Sequence, residues 1–261
     1  AQVTQRTLYL LRQTSLQIIK NALLGLSKKL GFFFYKEQLE PAFKTRIAEM
    51  LRSTTSDCFS EVGRYESEAF RQFVLLMVSN LPLEKEEFID DTVAINPKKS
   101  YASSDELIED LKILQMALTS INASTIARTD VREVIRIVQS FKFHLARLDI
   151  RQNSHFHDLA IEQLLDAGSF EESDYTGWDE SKRLDFVNGE LKSMRPFALS
   201  NQKLPKQADA VVSSYKVLSD HIQNFGPEGI GYLIVSMTRS LSDLLNVFLL
   251  AREGGLVRHS E

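Results

Sequence analysis

The sequence predicts a mainly α-helical protein that carries a few parallel β-strands. Three observations support this expectation. Apolar residues recur at spacings of three and four through most of the first half of the chain. The period then changes to two at residues 145–151, Leu-Ala-Arg-Leu-Asp-Ile-Arg, which reads as a strand. A nearly continuous apolar run, Gly-Tyr-Leu-Ile-Val-Ser-Met at 231–237, reads as a second strand of a parallel sheet covered on both faces. Strand, long helical crossover, strand and helix is a βαβα order, which favours a parallel sheet or barrel over a pure bundle.

The helices follow from their stripes and punctuation. Residues 2–26 place Leu8, Leu11, Ile18, Ile19, Leu23 and Leu26 on one side, with Gly31 beyond the end. Residues 36–56 carry the stripe Leu39, Phe43, Ile47 and Leu51, and a third helix over 66–80 is closed by Pro82. The stretch 81–101 holds Pro82, Pro97 and many charges, and reads as an irregular connection. Ser103 or Ser104 then caps a helix whose first turn is acidic, as the helix dipole favours. Thr129 or Asp130 starts another that ends near Phe141. Beyond the first strand, Asn153 or Ser154 caps a helix to about Asp166, and helices follow over 179–194 and 206–224. Ser242 caps the last one, through Arg252. The change of period divides the chain into a helical region, 1–135, and a strand-bearing region, 136–261.

The first strand holds the most informative chemistry. Side chains alternate, so Arg147, Asp149 and Arg151 share one face while Ala146, Leu148 and Ile150 share the other. Three charges on one face need water or a polar pocket, because an unpaired buried charge is costly. Asp149 can pair with either neighbouring arginine, which leaves one guanidinium to meet an anion. A solvated edge strand is the plainer alternative.

Composition narrows the remaining choices. Of 261 residues, 43% are hydrophobic and 25% charged, the balance of an ordinary globular protein able to bury a core. A net charge of −4 argues against nucleic acid or an anionic membrane surface as partner. The single cysteine, Cys58, excludes an internal disulfide framework, suits a reducing cytoplasm and reads as core rather than nucleophile. No apolar run is long enough to span a bilayer, and the first residues do not resemble a signal peptide. No glycine-rich phosphate loop and no Gly-x-Ser-x-Gly elbow occur. His155 and His157, two apart, do not share a helix face; a solvated helix start suits them better than a metal site.

Asp149-Ile150-Arg151-Gln152, followed by Ser154 and His157, resembles the strand and turn of phosphoenolpyruvate carboxylase. Other spaced stretches agree in order. They are the helix from Tyr101 through Asp105 to Leu111; the run from Val131 through Val138, Phe141 and Leu145; and the pattern Tyr175, Trp178, Lys182, Phe186, Glu190, Leu191, Arg195, Pro196. Ile234, Ser236, Met237, Ser242, Asp243, Leu245, Val247, Leu249, Leu250 and Glu253 match the family's next strand and helix. The match is specific over 101–255, while 1–100 offers only helical periodicity. Asn153 departs from the glutamate the family often has there.

The resemblance implies a fragment of a (β/α)8 barrel embedded in many extra helices, with 136–261 as the partial barrel. It implies a carboxy-lyase that joins phosphoenolpyruvate to bicarbonate with Mg²⁺, releasing oxaloacetate and phosphate, within a cytoplasmic homo-oligomer. Arg151 would bind the substrate phosphate at the carboxyl end of a barrel strand, with Asp149 and Gln152 orienting it and Ser236 and Met237 ending the neighbouring strand. The family's catalytic histidine motif, its magnesium carboxylates and its Gly-Arg-Gly-Gly loop find no match here, so the chain is expected to be truncated and inactive alone, with no catalytic or metal-ligating residue and no bound Mg²⁺. A free-standing helical interaction or scaffold protein is the alternative reading.

Overall fold

The computed structural model describes residues 2–35, 38–54, 62–83, 100–193, 197 and 203–257. Cys58, most of the 81–101 connection and the Arg195-Pro196 pair lie outside the described residues. The chain divides into two compact units, residues 10–146 and residues 1–9 with 147–261.

In the 10–146 unit, α1 (Gln2–Lys29) contributes its residues from Leu10 onward. It buries Ile19, Leu23 and Leu26 of the expected stripe together with Leu16, which that stripe left out, while Leu11 and Ile18 are only half-buried. The helices α2 (Pro41–Arg52) and α3 (Ala69–Ser79) meet through aromatic rings. Phe43 stacks on Phe70 at 5.1 Å and meets Phe73 edge-on at 4.9 Å. On α4 (Ser104–Ser120), Asp110 is buried, yet Arg46 reaches it through two bonds of 2.6 and 3.0 Å. The Tyr101 hydroxyl donates to the same carboxylate at 2.7 Å, so the buried charge is both paired and hydrogen-bonded.

The next helix begins earlier than its sequence signals suggest. Residues Ser124–Ile126 already turn helically and lead through a π-turn, Ala127–Val131, into α5 (Arg132–Phe141). The wider turn keeps both Ala127 and Val131 fully buried. Gln115 Nε2 from α4 donates to the Ala127 carbonyl at 2.8 Å. Asp130 does not start the helix; its carboxylate takes Lys29 instead.

In the unit containing 147–261, β1 (Leu148–Asn153) and β2 (Ile230–Ser236) form one parallel pair, the adjacency and direction expected. β1 starts later than the expected 145–151. Lys142 and Leu145 adopt positive φ values of 44° and 63°, and the Leu145 N–H donates back to Phe141 O at 2.8 Å. A chain turning through the left-handed region there cannot yet be extended. Arg147 therefore precedes the strand.

The helices α6 (Ser154–Ala167), α7 (Glu180–Lys192), α8 (Lys206–Phe225) and α9 (Leu241–Glu253) complete this unit. Ile161, Leu164 and Leu165 pack with Tyr175, Val187, Val211, Leu249 and Leu250, while Leu8, Ile150 and Leu218 form a smaller cluster. The far end of α9 is tied by Arg252, which donates to Ser193 O at 2.8 Å and pairs with Glu253 at 2.9 Å. The expected covering of both sheet faces is corrected here. Leu233 and Val235 are half-buried, but Tyr232 is 74% and Ile234 38% exposed, so the apolar run serves one covered face. Exposed apolar side chains continue onto α9 at Leu241, Leu244 and Phe248.

Candidate functional site

Parallel pairing brings the carboxyl ends of β1 and β2 to one rim, where sheets of this kind place their ligands. Asn153 pairs with Ser236 at that rim. The Asn153 side chain accepts the His155 N–H at 2.9 Å, which makes it the cap of α6 as its residue type suggests. Ser154 Oγ donates to Met237 O at 2.7 Å and Ser236 Oγ to Gln152 O at 3.3 Å. These two bonds fasten the strand ends to each other. Met237 holds a positive φ of 59° with its side chain 73% exposed.

Arg147, Asp149 and Arg151 are all exposed while Ile150 is buried, so the charged face meets solvent. Asp149 bonds neither arginine; its Oδ1 accepts the Tyr232 backbone N–H at 2.9 Å. The register explains why. Leu148 pairs with Ile230 but Ile150 with Leu233, so Gly231 and Tyr232 together oppose Asp149 in a bulge. Arg151, opposite Ile234, has no ion-pair partner among the described residues. Neither Asp149 nor Gln152 is hydrogen-bonded to it.

Behind the rim lies a polar network that the sequence reading missed. Arg239, three residues past β2, donates from its backbone N (2.7 Å), Nε (3.2 Å) and Nη2 (2.8 Å) to Asp243, and from Nη2 also to Asp158. Asp158 takes Arg183 at 3.4 Å and Asn246 Nδ2 at 3.2 Å, and Asn246 Oδ1 accepts the Tyr175 hydroxyl at 2.8 Å. Asp158 and Asp243 are buried, Arg239 half exposed. Burial pushes the Asp243 carboxyl up, but hydrogen bonds from Arg239 outweigh it and hold the group below its usual range. The only sequence signal here is the i,i+4 pair Arg239–Asp243.

The N-terminus of α9 is also satisfied from outside. Ser240, not Ser242, is the cap residue, and its side chain does not close the helix. Glu180 on α7 accepts instead from Ser242 N at 3.0 Å and from the Ser240 and Ser242 hydroxyls at 2.7 and 2.6 Å. Burial raises the Glu180 carboxyl, but these bonds win and its pKa is lowered. The expected solvated helix start holds for His155 alone, because His157 is fully buried. No group of three His, Cys, Asp or Glu able to hold a metal occurs among the described residues. No described helix is long and apolar enough to cross a membrane.

A family model described as phosphoenolpyruvate carboxylase matches residues 1–261. The chain belongs to the phosphoenolpyruvate carboxylase family. Phosphoenolpyruvate carboxylase of Roseiflexus castenholzii is 35% identical over 162 residues, 62% of this chain and 17% of that protein. One from Rhodopseudomonas palustris (strain BisA53) is 32% identical over 213 residues, 81% of this chain and 23% of its own length. A third, from Rhodopseudomonas palustris (strain BisB5), is 38% identical over 160 residues, 60% of this chain and 17% of that protein. The chain thus spans about a fifth of the curated phosphoenolpyruvate carboxylases it matches. Family membership extends to 1–100, where helical periodicity had carried little specificity. Asn153, where the resemblance implies a glutamate, uses its side chain as the cap of α6.

Proposed function

We propose that this chain is the part of a phosphoenolpyruvate carboxylase that supplies one phosphate contact to the active site. In this reading β1 and β2 are neighbouring strands of a (β/α)8 barrel, and their shared rim is part of the mouth where substrate binds. The whole enzyme would join phosphoenolpyruvate to bicarbonate, forming oxaloacetate and releasing phosphate, as a cytoplasmic homo-oligomer.

One observation carries the proposal. The Arg151 guanidinium is exposed beside the rim and has no anion on it among the described residues, while Asp158, Arg183, Arg239 and Asp243 behind the rim are ion-paired. A planar fork with unused donors suits two phosphate oxygens. Its strand is fixed from behind by the Ser154–Met237 bond, so the arginine is positioned before substrate arrives. Mg²⁺ would supply charge neutralisation at the reacting oxygens. The described residues offer it no donor set.

The test is Arg151→Gln in the full-length enzyme, with kcat/KM for phosphoenolpyruvate and thermal stability measured together. Loss of a charge-assisted bond should cost about 1.5–3 kcal/mol, roughly one to two decades in kcat/KM, with little change in melting temperature. A near-normal kcat/KM would refute the ligand role.

A further inference from the structure

His157 is the one buried histidine among the described residues, and nothing in the proposed reaction uses it. It lies in the first turn of α6 with a relative exposure of 0%, and neither Nδ1 nor Nε2 has a hydrogen-bond partner among the described residues. Across the α6–α8 seam stands Tyr215, 2% exposed, whose hydroxyl also lacks a partner there. The two rings are 6.3 Å apart and inclined at 45°. A neutral imidazole brings one donor and one acceptor into this seam; a charged one brings two donors and a full charge where no acceptor is aimed at them.

The charged groups that act on the ring are Asp158, beside it on α6, and Asp243 on α9. Both favour the protonated form. Their oxygens, however, are already engaged by Arg239, Arg183 and Asn246. Tyr215, the facing group on α8, has its own ionisation pushed upward by burial and stays neutral. Burial therefore outweighs the two carboxylates and lowers the His157 pKa from its ordinary 6.5.

We propose that His157 is an acid-sensitive latch: uncharged, it seats α6 on α8, and protonation expels the ring and loosens the first turn of α6. That turn contains Ser154, whose hydroxyl holds the end of β2 at Met237. Acid would thus free the tie between the two strand ends. Any effect on phosphoenolpyruvate rests on the carboxylase reading, but the latch itself does not.

The experiment follows the His157 ring by proton NMR and thermal unfolding of the full 261-residue chain from about pH 8 to about pH 5. Amide exchange at residues 154–158 is measured alongside, corrected for intrinsic rates. The ring should titrate with a midpoint below 6.5. Melting temperature should fall across the window, and amides 154–158 should lose protection ahead of the rest of α6. His157→Phe should remove most of that fall, and Tyr215→Phe should keep it. A midpoint at or above 6.5, an unchanged acid loss in His157→Phe, a loss of the response in Tyr215→Phe, or no selective exchange at 154–158 would each overturn the latch. If His157→Phe does not fold, the wild-type ring midpoint and exchange pattern decide.

Discussion

The Asp149 carboxylate reaches across the sheet to the backbone N–H of Tyr232, filling the place where Gly231 has no side chain. A Cβ at Gly231 would stand 2.2 Å from Asp149 Oδ1. The bulge therefore depends on a glycine in one strand and an acceptor in the other. This also explains why Arg151 keeps its guanidinium free of its acidic neighbour.

Gly231→Ala should therefore destabilise the chain by about 1–3 kcal/mol, as overpacking does. The added methyl displaces Asp149, so Asp149→Ala in the same chain should relieve part of the loss. Urea unfolding of the two single variants and the double variant measures this coupling. Strict additivity would show that the two residues do not act together.

Asp158→Ala should cost about 3–5 kcal/mol, because it leaves Arg183 buried without its carboxylate and Asn246 without an acceptor. Replacing Arg183 by methionine as well should cost less than the sum of the two single changes. Calorimetric melting of all three variants provides the check.

Glu180 has a lowered pKa in the folded chain, so its bonds to Ser240 and Ser242 stabilise the fold above the ordinary carboxyl value of 4.5. That contribution is lost as pH falls through the folded value, because the folded state must then take up a proton it resists. Glu180→Gln should flatten the stability profile below about pH 4.5. Melting curves across that range would show an unchanged acid limb if Glu180 played no part.

The 261-residue chain by itself should produce no oxaloacetate from phosphoenolpyruvate, bicarbonate and Mg²⁺. Its sequence has no match to the family's catalytic histidine motif or glycine-rich loop, and its described residues hold no metal donor set. A coupled assay of the purified chain is the measurement, and turnover well above a blank would contradict the expectation.

Much of the fold was legible because helices and strands impose different periods on apolar residues. Most of the stripe of α1, a cap for α6 at Asn153 or Ser154 and the parallel pairing of β1 with β2 follow from local pattern and element order. The start of β1 was not legible, because nothing marks Lys142 and Leu145 as residues that will turn with positive φ. The π-turn at Ala127–Val131 was hidden too, since a wider turn leaves no residue-type signature. At the site, the Asp149-Ile150-Arg151-Gln152 motif marked the strand. The Tyr232 acceptor role of Asp149 depends on a cross-strand register that no single strand reveals. The network behind the rim draws on Asp158, Arg183, Arg239, Asp243 and Asn246, which come together only once α6, α7 and α9 are packed.

Asp158, Arg183, Arg239 and Asp243 contribute two negative and two positive charges, and they are balanced only as a set. Any single replacement leaves an odd charge in the set, whereas a paired replacement of one acid and one base restores neutrality. Evolutionary change at these positions should therefore proceed in linked steps. Across the family, the identity of the residue at 158 should covary with those at 183 and 239, while the exposed Arg147 is free to drift on its own.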